Sequence, residues 1–336
     1  MELIPDDSGY DYNEGTVSDS SCQWDCVILV VVNVIICVLG LSGNGLVIWI
    51  AGFKMKKTVN TAWYLSLAIS DFLYCIFLPL NTAYLATNNW IFGVSMCKFT
   101  SFVLFLNMFS SIFLLVIISI DRCISVVFPV WAQNKRTVKK ASIVIILAWI
   151  ISIALSSPSA IFRDTTLQGQ SIKCYNNYEP PSSHLAVVFS RFAFGFVVPF
   201  LIIITCYSVI IWRVRNNQMT KSSKPLKVMS ALIGAFFICW LPYHIVVLME
   251  TNEEHQQSEI FQICIKVFPV LASANSILNP LLYAFMGRDF KHKCFRFALS
   301  KIENALGEET QKKEEINCTR MTHNSGVSQD SSRLAL

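Results

Sequence analysis

The sequence predicts an all-α membrane protein, a seven-transmembrane helix bundle followed by a short amphipathic helix on the cytoplasmic surface. Three observations carry this. Of 336 residues, 54% are hydrophobic and only 15% charged, too apolar a balance for an ordinary soluble chain of this length. Seven apolar runs are each long enough to cross a hydrocarbon core of about 30 Å at about 1.5 Å per helical residue. Basic residues collect in alternate loops between those runs, the asymmetry that orients membrane helices.

Residues 1–26 hold Glu2, Asp6, Asp7, Asp11, Glu14, Asp19 and Asp25 with no lysine or arginine. Such a segment buries too little apolar surface to fold alone and reads as a disordered extracellular tail. Tyr10 and Tyr12 sit among the acids, so two readings stand: a docking arm for a basic protein ligand, sharpened by tyrosine sulfation, or a solubilising segment. No leader with a cleavage site precedes the first apolar run, which is therefore expected to act as its own insertion signal.

The runs lie at approximately Val27–Phe53, Thr61–Tyr84, Phe99–Val126, Ser142–Ala160, Leu185–Trp212, Val228–Met249 and Phe261–Phe285, so the bundle occupies residues 27–286. Lys54, Lys56 and Lys57 follow the first run, Lys135, Arg136, Lys139 and Lys140 the third, and Arg213, Arg215, Lys221, Lys224 and Lys227 the fifth. These loops should be cytoplasmic, which puts the N-terminus outside, the C-terminus inside and the chain in the plasma membrane. Cys97 then lies at the outer end of span three and Cys174 in an outer loop, where the compartment is oxidising, and the two are expected to be bridged. Within that loop, Ala160–Thr166 and Ser171–Asn176 flank Gln168-Gly169-Gln170, a hairpin pattern. A second bridge, from Cys22 or Cys26 to Cys264 at the top of span seven, is the alternative to free thiols there.

After span seven, residues 287–300 place Phe290, Cys294, Phe297 and Ala298 on one helical face and basic residues on the other, the pattern of a helix lying on lipid. Cys294 is a palmitoylation candidate on its membrane side. Residues 301–336 turn polar and rich in Ser and Thr, a disordered cytoplasmic tail.

Polar residues inside the spans are costly and point to function. Asp71 sits in mid-span, and Asn44, Asn107, Ser111, Asn275 and Asn279 lie at compatible depth. Together they can supply oxygen ligands to a small hard cation such as sodium, a water-filled network around a protonated acid, or interhelical hydrogen bonds. Apart from that ion no cofactor is expected. Asp121-Arg122 closes the inner end of span three, and Pro79, Pro199, Pro242, Pro269 and Pro280 each favour a kink. Arg191 lies inside the apolar run Phe189–Pro199, and a guanidinium at that depth suits a ligand carboxylate or an internal ion pair. Asn81, Leu104, Phe105, Tyr243 and His244 are candidates for the same cavity, and Glu250 and Lys266, at the outer ends of spans six and seven, complete the ligand set.

The cysteines lack metal spacing, no nucleophile stands beside a base, and no nucleic-acid partner is indicated, so the chain is not expected to be an enzyme. A transporter or channel is the rival from another class, since Asp71 and Arg191 can line a translocation path; two similar halves are not evident.

Gly43-Asn44, Leu67-Ala68-Ile69-Ser70-Asp71, Cys97, Asp121-Arg122-Cys123, Trp149, Pro199, Tyr207, Cys239-Trp240-Leu241-Pro242 and Asn279-Pro280-Leu281-Leu282-Tyr283 together resemble the rhodopsin-like (class A) G-protein-coupled receptors, over all seven spans. The resemblance implies that Arg122 is held by Asp121 at rest and freed to meet a G protein, and that Trp240 senses ligand. It also implies that Tyr207, Asn279, Pro280 and Tyr283 take part in the switch, and that Asp71, Asn107, Ser111 and Asn275 hold sodium. Leu104 and Ser273 stand where the family's amine receptors and visual pigments place an aspartate and a retinal lysine, so neither ligand type is expected. Longer stretches, Phe53–Asn60, Phe128-Pro129-Val130-Trp131 and Leu155–Ser159, resemble the chemoattractant branch. That similarity implies a peptide or protein attractant entering by its C-terminus, an inhibitory-type G protein in chemotaxis and inflammation, and arrestin and a receptor kinase at the cytoplasmic tail. Receptors of this branch for formyl peptides, anaphylatoxins or lipid mediators are the alternative.

Overall fold

In the computed structural model, which describes residues 24–180, 182–216, 224–251 and 258–286, the apolar runs become helices. In chain order the elements are α1 (Trp24–Trp49), α2 (Val59–Thr87), α3 (Gly93–Val127), α4 (Pro129–Lys135), α5 (Val138–Ile161), β1 (Arg163–Gln168), β2 (Ser171–Asn176), α6 (Ser182–Phe192), α7 (Val198–Asn216), α8 (Lys224–Met249), α9 (Glu259–Ser273) and α10 (Asn275–Met286). Span five is α6 and α7 joined by a π-helical stretch, Ala193–Val197, and span seven is α9 followed by α10. The described helices hold seven segments long and apolar enough to cross a membrane.

The helices overrun the predicted spans because their ends are fixed by polar caps instead of by the limits of the apolar run. Thr58 accepts the Thr61 N–H at the start of α2, and Thr137 accepts the Lys140 N–H at the start of α5. Asn88 ends α2 in the left-handed conformation, φ 52°. Span one begins at Trp24, inside the predicted tail, and α4 is a helix within a segment read only as a basic loop. The rest of residues 1–26, and the amphipathic helix, Cys294 and the 301–336 tail, lie outside the described residues.

Prolines shape two spans away from the prolines themselves. Pro199 lacks an N–H, and the widened π turn stands immediately before it. In span seven α9 gives way to α10 at Ala274, between Pro269 and Pro280. Gly43 lets span one approach there: a Cβ at this position would come within 3.0 Å of Pro280 Cβ. Asn44 Nδ2 donates to the Ser276 carbonyl at 2.8 Å, closing the first helix on the last.

The largest apolar core lies around α3, where Phe105, Met108, Phe109, Ile112 and Leu115 meet Leu67, Ile203, Phe236 and Trp240. Outside it, β1 and β2 pair antiparallel from Arg163↔Asn176 to Gln168↔Ser171 across a two-residue turn containing Gly169, φ 62°. The hairpin begins three residues later than predicted because Ala160 and Ile161 continue α5. Cys97 and Cys174 form the expected disulfide over a separation of 77 residues. Loop entropy makes such a closure worth about 4 kcal/mol. Trp90 packs beside it and donates its backbone N–H to the Ile172 carbonyl and its indole N–H to the Gly93 carbonyl, both at 2.8 Å.

Of the two readings for the other outer cysteines, the bridge to Cys264 is not formed. Cys26 is disulfide-bonded, whereas Cys264 is a free thiol, so the tail is not tied to span seven through Cys264.

Candidate functional site

Three polar groupings lie along the bundle axis. The outermost is built on spans three to six. Arg191, near the end of α6, is 6% exposed, its guanidinium carbon 3.7 Å from the centre of the Phe105 ring and Nη2 donating to Ser159 Oγ at 2.8 Å. No carboxylate is within ion-pair distance of it among the described residues, so the internal ion pair considered from sequence is not formed. Its Nε–H is buried without a partner. A charged donor left unsatisfied inside a protein is costly, and an incoming acceptor would relieve that cost.

The aromatic candidates converge below it. Tyr243 meets Phe105 at 6.2 Å and Trp240 edge-on at 5.6 Å between ring centres. His244 lies among Phe192, Phe196 and Trp240, with Nε2 buried and unpartnered. Leu104 packs at the edge of the same core, and Asn81 is half-buried on α2 with no hydrogen bond among the described residues. Glu250, just past α8, lies in electrostatic range of His184, Arg163 and Arg191; burial raises its carboxyl above the usual range and those three groups oppose the rise. Lys266 is the candidate that stands apart, exposed on α9 with Lys173 as its charged neighbour.

Arg163 is a further residue of this grouping, one that the apolar runs do not reveal. It opens β1, donates Nη1 to Asn176 Oδ1 at 2.8 Å, and carries a second buried, unpartnered Nε–H. Burial lowers its pKa, while Tyr243, Tyr178 and Tyr84 act in the opposite direction. A guanidinium stays protonated through such a shift. The signal in the sequence is a basic residue just beyond the outer end of span four.

The middle grouping surrounds Asp71, fully buried on α2. Asn107 Nδ2 donates to Oδ1 at 2.9 Å and Asn279 Nδ2 to Oδ2 at 2.6 Å, with Ser276 adjoining. Ser70 and Ser110 bond each other at 2.5 Å, and Asn107 reaches Ser70 at 3.2 Å. Ser111 is buried with an unpartnered hydroxyl. Asn275, expected beside the acid, is buried but is not among its partners; Asn279, one helical turn further in, takes that place. A carboxylate can accept about four hydrogen bonds or ligands, so Asp71 keeps free lone pairs, and with Ser111 it offers oxygens suited to a small hard cation.

The innermost grouping corrects the resting lock read from the sequence. Asp121 does not pair with Arg122. Arg136, just after α4, takes both carboxylate oxygens, Nε to Oδ1 and Nη2 to Oδ2 at 2.7 Å each. Arg122 donates Nη2 to Asn60 Oδ1 at 2.7 Å, and Arg136 Nη2 reaches the same oxygen at 2.5 Å. Adjacent helical residues point in different directions, which lets a loop residue claim the acid. Tyr64 also meets Arg122, and Tyr207 approaches from span five with Arg122 in electrostatic range. The side chain of Tyr283, on α10, lies outside the described residues.

A bundle of this kind, with one polar grouping at its mouth, one at its centre and one at its inner rim, is the build of a membrane receptor. The chain matches the family described as 7 transmembrane receptor (rhodopsin family) over residues 43–283, and it belongs to that family. It is 46% identical to the human (Homo sapiens) chemerin-like receptor 1 over 304 residues, covering 84% of this chain and 81% of that receptor. The pig (Sus scrofa) chemerin-like receptor 1 is 44% identical over 304 residues, 84% of this chain and 83% of that one. The zebrafish (Danio rerio) C3a anaphylatoxin chemotactic receptor is 39% identical over 306 residues, 90% and 83%. The chain is thus a multi-pass plasma-membrane receptor with an extracellular ligand and a G protein as partners, not an enzyme, and the transporter reading falls away.

Proposed function

We propose that the protein is a receptor for a chemoattractant peptide or protein of the chemerin type, whose C-terminal carboxylate enters the bundle and is gripped by Arg191 with Arg163 above it. The observation that carries this is the pair of buried, unpartnered guanidinium N–H groups at the mouth. Two converging guanidinium groups match a planar carboxylate and discriminate strongly against a neutral end group. The chemerin-like and C3a relatives support a chemoattractant ligand, and the stretches Phe53–Asn60 and Phe162-Arg163-Asp164-Thr165 resemble the chemerin receptor in particular. The N-terminus faces outside on this reading, the G protein is of the inhibitory type, and arrestin and a receptor kinase act at the cytoplasmic tail.

The test is a calcium and cyclic-AMP screen of transfected cells against chemerin C-terminal peptides, C3a-type, formyl-peptide and lipid-mediator agonists, each peptide supplied as acid and as C-terminal amide. The chemerin-type acid should signal and its amide should lose most of its potency. An amide of equal potency removes the carboxylate from recognition, and a response confined to another agonist class replaces the ligand.

Asp71, Ser111 and Asn107 are the residues we assign to a sodium ion, with Asn279 in place of Asn275. The ion would neutralise the buried acid and hold spans two, three and seven in the resting arrangement. Asp71→Asn should erase the effect of sodium on agonist affinity, measured by radioligand competition in sodium and in a large organic cation; sodium sensitivity that persists in the variant removes the assignment.

A further inference from the structure

Arg136 was legible in the sequence only as one of several charges that orient a cytoplasmic loop. The structure gives it a more specific position. Its guanidinium holds both oxygens of Asp121 and reaches Asn60 Oδ1, the oxygen that also accepts Arg122. Two guanidinium groups therefore converge on one amide, and the carboxylate of Asp121, the only one paired there among the described residues, is committed to the loop arginine. The pair is largely shielded, with Arg136 and Asp121 side chains 25% and 13% exposed, so solvent screens it less than an open surface pair. Arg122, by contrast, is left with neutral partners, Asn60 and Tyr64, and a buried Nε–H that has none.

We propose that Arg136 is a positioning residue for the G-protein switch: by occupying Asp121 it keeps Arg122 free of its own neighbour, and it thereby couples the position of α4 to the readiness of Arg122. This rests on the reading of Arg122 as the group that engages the G protein. α4 is the short helix that delivers Arg136, and together with its capping residue Phe128, 60% exposed, it presents Val130 and Trp131 to the outside at 71% and 52% exposure. Displacement of this helix would withdraw Arg136, return Asp121 to Arg122 and lock the arginine; seating of the helix would do the reverse. A two-state exchange of one carboxylate between two guanidinium groups needs no rearrangement of the core.

The test uses the full receptor in membranes, with nucleotide exchange on an inhibitory-type G protein measured without agonist and with a chemerin C-terminal peptide as probe. Arg136→Ala should lower exchange about tenfold at unchanged surface level and peptide affinity, and Arg136→Lys, which keeps the charge but not the two-pronged grip, should fall between. Asp121→Asn removes the carboxylate that would recapture Arg122, so the Asp121→Asn, Arg136→Ala double variant should match Asp121→Asn alone. Exchange unchanged or raised in Arg136→Ala overturns the proposal, as does a loss that Asp121→Asn does not relieve, which would mark Arg136 as a direct contact of the G protein. If Arg136→Ala reaches the surface poorly, the Lys variant and the double variant decide by the same comparison. Exchange that survives Arg122→Ala would instead sink the switch reading beneath it.

Discussion

Arg122→Ala is expected to abolish nucleotide exchange on the G protein while leaving the receptor at the cell surface. The physical case lies in what the side chain does and does not support. It hydrogen-bonds Asn60 and Tyr64 at the inner rim, packs no part of the main core, and carries a buried N–H without a partner. Removing it costs the fold at most a net bond or two of about 1 kcal/mol each and relieves one orphaned donor. The Arg136–Asp121 pair and its bond to Asn60 remain in place. On the proposed switch role, what is lost is a cation free to meet the G protein, an interaction made only in the coupled state. Guanine-nucleotide exchange in membranes, normalised to surface receptor, measures this, and near-normal exchange at normal expression would count against the role.

The second large effect is at the other end. Arg191→Ala should weaken a peptide agonist bearing a free C-terminal carboxylate by about 2–5 kcal/mol, the usual cost of removing one member of a buried charge pair. At 1.4 kcal/mol per decade this is roughly a 30-fold or greater rightward shift in the dose response. Arg191→Lys should recover only part, because an ammonium cannot offer two parallel donors. Amidating the peptide should cost the wild-type receptor a similar amount and cost the Arg191→Ala receptor little more, since both changes delete the same interaction. An unchanged dose response in Arg191→Ala would remove Arg191 from the ligand site. Stability is not the expected cause of any loss: Arg191 donates one bond to Ser159 and stacks on Phe105, and no ion pair within the described residues is broken.

Much of the architecture is legible in the sequence. Hydrophobic run length gave the spans, loop charge gave an orientation to test, and the outer placement of Cys97 and Cys174 gave the disulfide. Run length set the helix ends less well, because capping residues such as Thr58 and Asn88 lie outside the apolar runs. The segment Pro129–Lys135 carries too few residues for a helical period to show in the sequence. At the sites, depth was readable and partnership was not. Asp71, Arg122, Arg191 and His244 could each be placed at a level in the membrane from sequence spacing. Which neighbour each would meet depended on how helices distant in sequence turn toward one another. Thus Asn279 and not Asn275 reaches Asp71, and Arg163, 28 positions before Arg191, came to the same mouth only through the hairpin.

What the sequence determined by itself was the class of molecule, its seven crossings and the set of charged groups that lipid forces inward, because the cost of burying a charge acts on each residue wherever its neighbours lie. Only the tertiary structure decided who satisfies whom: that Asp121 goes to Arg136 instead of Arg122, and that two guanidinium groups at the mouth keep donors to spare. The reason is geometric. A hydrogen bond acts over about 3 Å and demands alignment, and helical periodicity fixes a side chain's height and face but not the lateral packing that brings a partner within that reach.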